Sequence, residues 1–229
     1  LRNSSAASDV YKRQTRNLLL IEGFKLFKRS RTWVGPVLVF LLIIISFPLT
    51  LDINSDNPPQ IYLSFIWIST LLVTMLGTEL IFSEDFEDGT LEQYAVNNKL
   101  IEIVFYKILV HWVLIGIPLA FVAFLFILSL NISIHISSIA LLCLVISNLI
   151  FINFFSLGNA LSLKKGSILG LLITIPFLIP VLIVLGKITT STLLGLSLVG
   201  HLSLLVGVTI LVASFIPFII SFILRTHLE

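Results

Sequence analysis

The sequence predicts an all-α integral membrane protein of six transmembrane helices, with the N- and C-termini on the cytoplasmic side. Three observations carry that expectation. Of 229 residues, 57% are hydrophobic and 11% charged, against about 25% charged in an ordinary soluble domain, and the mean hydropathy is +1.11. The apolar residues gather in six continuous runs, each close to or above the roughly 20 residues that a helix needs to cross a bilayer core. Lys and Arg fall almost wholly in alternate connections between those runs.

Residues 1–14 are polar, rich in Ser and Ala, and contain no apolar run of signal-peptide type. They are read as a disordered or non-native leader. Residues 15–33 are expected to form an amphipathic interfacial helix. With about 100° between successive residues, Leu20, Phe24 and Phe27 share one side and Glu22, Lys25 and Arg29 the other. Such a helix lies in the membrane surface, apolar face down, with Lys25, Lys28, Arg29 and Arg31 near the headgroups. Gly35-Pro36 is expected to break the chain before the first span.

The membrane domain covers residues 34–229, with spans expected at 34–51, 61–82, 103–130, 137–161, 167–185 and 199–224. Continuous runs exclude the alternating pattern of a β-barrel. So little charge also excludes lipid-exposed loops, whose backbone groups would go unsatisfied. Six spans return the chain to its starting side. Thirteen of the fourteen Lys and Arg residues fall on that side and only Lys187 falls opposite, which makes it the cytoplasm. The outer connections at 52–60 and 131–135 carry no Lys or Arg, and residues 186–198 are expected to hold a short helix or re-entrant piece. Pro118, Pro176, Pro180 and Pro217 are expected to kink their spans.

Several function classes fall away. A net charge of +2 is too small for a nucleic-acid partner. The single cysteine, Cys143, lies in an apolar run and reads as a small buried hydrophobe. No Gly-x-x-x-x-Gly-Lys-Ser/Thr loop is present, so any ATP use falls to another chain. Neither a Ser/His/Asp set nor clustered intramembrane carboxylates support an enzyme. His111 and His201 read as hydrogen-bonded packing residues rather than haem ligands, and His135 and His227 have no metal-site companions.

Five of the twelve acidic residues lie between the second and third runs, in a cytoplasmic element at 83–98. Asp88-Gly89 signals a turn. Thr90, Leu91, Glu92 and Gln93 match a capping box, in which the Thr90 hydroxyl accepts from the Gln93 N–H. A short helix is therefore expected from Thr90, with Leu91, Tyr94 and Ala95 on one face and a loosened exit at Asn97-Asn98. Held at both ends by membrane helices, such a knob can pass a push from a soluble partner to the spans. Glu79 and Lys107 are expected to form an ion pair beside it.

These residues resemble the permeases of ABC-2-type transporters and, within them, the CcmB family of the cytochrome c maturation system. The likeness rests on Phe47-Pro48-Leu49, Glu79, Asp85, the run from Asp88 to Gln93, Lys107, His111-Trp112 with Gly116 and Pro118, Leu163-Lys164-Lys165-Gly166, and the pair Pro176 and Pro180. It extends from about residue 17 to the end. Two departures are Leu80, where the family often has Arg, and Asn97-Asn98-Lys99 in place of a proline-containing turn.

The resemblance implies a non-catalytic permease subunit of a bacterial inner membrane, with an organellar inner membrane as the alternative, homodimeric within its complex, paired with a CcmA-like ATPase and working beside CcmC-, CcmD- and CcmE-like proteins. ATP then belongs to the partner subunit and haem to the complex, with no cofactor assigned to this chain. ATP hydrolysis would drive haem export or release of a haem-loaded chaperone. The docking and coupling residues would be Glu84, Asp85, Glu87, Asp88, Gly89, Thr90, Leu91, Glu92, Gln93 and Tyr94. Glu79, Lys107, His111, Trp112 and Pro118 would act within the membrane. A stand-alone secondary transporter or channel, or a passive membrane scaffold, stays open as an alternative.

Overall fold

The computed structural model describes residues 18–50, 59–164 and 167–228. The leader at 1–14, most of the first outer connection, and Lys165-Gly166 lie outside the described residues. Every element among the described residues is helical. A surface helix, α1, covers residues 18–28. It is followed by α2 (Ser30–Thr50), α3 (Pro59–Thr78), α4 (Ser83–Glu87), α5 (Thr90–Val96), α6 (Leu100–His111), a π-helical turn (Trp112–Gly116), α7 (Ile117–Ser129), α8 (Ile134–Leu161), α9 (Ser167–Leu193) and α10 (Val199–Leu228). Six of the helical stretches are long and apolar enough to cross a bilayer; α6, the π turn and α7 together form the third. The chain is a multi-pass membrane protein.

α8 sits at the centre, packed by α3, α7, α9 and α10. Its N-terminus is capped by Ser133, whose hydroxyl accepts from the Ile136 N–H at 3.4 Å. One apolar core fills the membrane interior around Phe40, Ile66, Leu119, Phe151 and Phe155. A second closes the cytoplasmic end around Phe82, Leu91, Ile103, Ile220 and Leu224. Outward-facing Leu42, Phe177, Phe215 and Phe222 remain exposed, as lipid-facing positions must.

Two boundaries differ from expectation. The break before the first span falls at Arg29 rather than Gly35-Pro36, and Pro36 lies inside α2. A proline inside a helix removes one hydrogen bond and crowds the preceding turn, and Pro36 stands in α2 with its ring against Gly77 of α3. At Gly77 an added Cβ would come within 3.0 Å of Ile115. The second difference lies at the outer face, where α9 runs on to Leu193, so no separate short helix or re-entrant piece occupies 186–198. The hydroxyls of Thr189, Thr190 and Thr192 donate to carbonyls four residues back, which keeps polar residues compatible with the helix. Gly195, at φ 66, then ends it. The N–H groups of Gly195 and Leu196 donate to Thr192 and Ser191, the bond pair of a Schellman cap.

Candidate functional site

The cytoplasmic knob starts where α3 ends at Thr78. Asn159 of α8 clips the turn that follows: its amide NH2 donates to the Glu79 carbonyl, and its Oδ1 accepts from the Phe82 N–H at 3.2 Å. α4 and α5 then form a helical hairpin around Gly89, which takes φ 75, a left-handed conformation that glycine adopts without penalty. The capping box does not form. Asp88 Oδ1 accepts both from the Thr90 N–H, at 2.9 Å, and from the Thr90 hydroxyl, so Thr90 donates to the residue before the turn. These two bonds lower the Asp88 pKa below 3.8. The stabilisation they lend is complete above pH 3.8 and fades as pH falls through the depressed value. The exit is a second Schellman cap: Asn98 takes φ 52, and the Asn98 and Lys99 N–H groups donate to Ala95 and Tyr94.

The outer surface of the knob presents Glu87, Asp88, Glu92, Gln93, Val96 and Asn97. Two residues expected there face inward instead. Leu91 is fully buried against the cytoplasmic core, with Tyr94 and Ala95 partly buried beside it. Burial raises the Tyr94 pKa, with help from the charge of Glu22. Asp85, 1% exposed, points under the knob.

Beneath the knob, Asp85 organises an ionic cluster. Lys25 of α1 donates to Asp85 Oδ1, Lys107 Nζ stands 2.5 Å from Asp85 Oδ2, and Lys107 also lies 3.2 Å from Glu22 Oε2. Arg29 and Glu84 form a further, more exposed pair. Lys107 therefore pairs with Glu22 and Asp85, not with Glu79 as expected. Glu22, Lys25 and Arg29 are turned onto the knob and the third span rather than to headgroups, while Leu20, Phe24 and Phe27 face outward. The physical reason is burial. Lys107 and Glu22 are 6% and 5% exposed, and a buried ion costs several kcal/mol unless an opposite charge meets it. Burial alone would lower the Lys25 pKa, but its bond to Asp85 and the charges of Asp85 and Glu22 outweigh that and raise it. Its contribution is thus complete below pH 10.5 and is lost only as pH rises through the raised value.

One turn deeper, His111 is buried and its Nδ1 lies 2.8 Å from the Lys107 carbonyl. A carbonyl only accepts, so Nδ1 carries the hydrogen. Glu22, Lys107 and His111 line one small cavity of about 30 Å³. Trp112 opens the π turn and donates from Nε1 to the Val145 carbonyl at 2.9 Å, while Asn148 donates to the Gly116 carbonyl at 2.8 Å. Pro118 follows directly, and its missing N–H makes an α-helical register unfavourable there. Trp112→Phe is expected to cost about 1 kcal/mol through the lost hydrogen bond, read as a modest fall in melting temperature.

The structure thus joins Asp85, Lys107 and His111 around α1 and leaves Trp112 and Pro118 in a separate π-turn contact with α8. Glu22, Lys25 and Arg29 had been legible as one helix face, but nothing local named their partners. Asn148 and Asn159, which hold the π turn and the knob, carried no sequence signal. Among the described residues, no cluster of His, Cys, Asp and Glu could hold a metal ion.

Residues 15–227 match the family model described as CcmB protein. The chain is similar to Heme exporter protein B of Pseudomonas aeruginosa, with 32% identity over 207 residues, 89% of this chain and 93% of that protein. It is 29% identical to Heme exporter protein B of Haemophilus influenzae over 205 residues, covering 88% and 93% of the two chains. Heme exporter protein B of Rhodobacter capsulatus is 29% identical over 219 residues, 92% of this chain and 99% of that one.

Proposed function

The chain belongs to the CcmB family, and from that premise we propose that it is the permease subunit of an ATP-driven haem export complex for cytochrome c maturation. A separate CcmA-like ATPase docks on the outer surface of α4 and α5, and its movement reaches the spans through the knob. The complex includes CcmC-, CcmD- and CcmE-like proteins and a second copy of this chain, in a bacterial inner membrane. Haem is its cargo, or the burden of a chaperone that it releases. ATP is hydrolysed on the partner and not on this chain.

The observation that supports this reading most is the mechanical join at Asp85. Its carboxylate is shared between Lys25 on the surface helix and Lys107 in the third span. A displacement of α4 therefore acts on both at once. Leu91 anchors α5 against α6 and α10 at the same end. The knob moves with the bundle instead of flapping from it.

The test uses side chains on the outer surface, because Leu91 is core and its replacement would unfold the element. Val96 is 82% exposed. Val96→Asp with Glu92→Lys is expected to cut co-purification of the ATPase subunit about tenfold, equivalent to about 1.4 kcal/mol of binding. Membrane insertion and thermal stability should stay at parental levels. Full retention of the ATPase by the double variant would sink the proposal.

A further inference from the structure

In the cytoplasmic half of the bundle, a cavity of about 190 Å³ lies between the third, fourth and sixth spans. Phe105 and Trp112 of the third span, Leu149 and Asn153 of α8, and Ala213 and Pro217 of α10 line it. Asn153 is fully buried, and its Oδ1 has no hydrogen-bond partner among the described residues. It stands about 12 Å from the cytoplasmic end of α8 at Leu161, a depth at which no bulk water reaches a bare acceptor. Pro217 has no N–H to give, which leaves the Ala213 carbonyl, four residues earlier, without its usual helical donor. The two side-chain donors of the lining are already engaged: Trp112 Nε1 with the Val145 carbonyl and Asn153 Nδ2 with the Leu149 carbonyl. The cavity is therefore apolar, short of donors and supplied with acceptors.

We infer that this cavity binds one aromatic ring carrying a hydroxyl, a ligand of the phenol class, whose O–H donates to Asn153 Oδ1. Size and lining select the ring. Benzene enters an apolar cavity of about 150 Å³, whereas a water needs only about 10–15 Å³ and two to four polar partners. Phe105 and Trp112 offer aromatic surfaces for the ring to stack on or meet edge-on. The amide torsion of an asparagine is broad, so Oδ1 can turn to meet a donor inside the cavity. Phe105 is exposed on the lipid side, so the ring enters from the bilayer. An ether or a ketone of the same shape would bring a further acceptor and leave Oδ1 bare. This site is independent of ATPase docking.

The experiment uses the full chain in detergent, dialysed to equilibrium against para-propylphenol, its methyl ether para-propylanisole, or propylbenzene, with protein-free micelles as background. The parent is expected to hold the phenol about tenfold more tightly than the ether or the hydrocarbon. Asn153→Leu should bring the phenol down to the level of the ether without lowering thermal stability, because the lost Oδ1 had no partner. Ala213→Leu narrows the cavity and should weaken all three compounds. Organic extraction of the chain purified from native membranes separates the two sources of such a ring. A prenylated hydroquinone that travels with the parent but not with Asn153→Leu makes the ligand a membrane lipid. Its absence beside tight propylphenol binding makes the ligand a free phenol. Equal affinity of the parent for phenol and ether, or a preference that survives Asn153→Leu, would overturn the inference. So would uptake of none of the three compounds, or binding untouched by Ala213→Leu.

Discussion

Replacing Lys107 with Met is expected to destabilise the folded chain by about 3–5 kcal/mol, the penalty for removing one partner from a buried ion cluster. The loss comes mainly from what stays behind. Glu22 and Asp85, 5% and 1% exposed, would face each other without their shared cation. The measurement is thermal unfolding of the detergent-solubilised chain. A neutral triple variant, Glu22→Gln with Asp85→Asn and Lys107→Met, should recover most of the stability, because uncharged groups carry no such desolvation penalty. Lys25, whose side chain is 29% exposed, can then turn to water. Arg29→Ala gives the contrast. Its pair with Glu84 is 44% and 40% exposed, and its removal should cost no more than about 1 kcal/mol. A Lys107→Met chain as stable as its parent would show that the cluster carries no load.

Gly170→Ala is expected to cost about 3 kcal/mol, at the upper end of ordinary overpacking. A Cβ on Gly170 would run into the Gly158 carbonyl of α8, with the carbonyl carbon at 2.8 Å. That obstacle is backbone and cannot rotate aside. It marks the close approach of α8 and α9, the kind of contact that small residues permit between membrane helices. Gly186, on the same helix, supplies the reference. A Cβ there meets nothing within 4 Å, and Gly186→Ala should stabilise by about 0.5–1 kcal/mol through helix propensity. Equal melting temperatures for the two variants would refute the close-contact reading.

The six spans were legible because hydrophobicity is a local property: a run of about 20 apolar residues has no other way to satisfy its backbone in lipid. The apolar face of α5 was legible for the same reason, through the spacing of Leu91, Tyr94 and Ala95. What pairs with what was not. Lys107 lies 85 residues from Glu22 and 22 from Asp85, and the sequence offers Glu79 as an equally charged neighbour. Choosing among them requires knowing that α1 folds back under the knob, which is a tertiary fact. The capping box failed at shorter range. Thr90 could serve Gln93 or Asp88, and the turn at Gly89 presents Asp88 first. The fifth span, α9, outran its expected end because threonine hydroxyls bonded to the previous turn make polar residues tolerable in helix.

The shared carboxylate of Asp85 also bears on how the chain is made. Synthesis proceeds from the N-terminus, so Glu22 and Asp85 have left the ribosome before Lys107 follows them. A lysine entering hydrocarbon by itself is disfavoured by about 2.5–3.5 kcal/mol at the helix centre. Lys107 enters near the cytoplasmic edge, where both of its counter-ions have already been delivered. Both counter-ions of Lys107 in the folded chain therefore precede it out of the ribosome and are available to pair with it as the third span inserts.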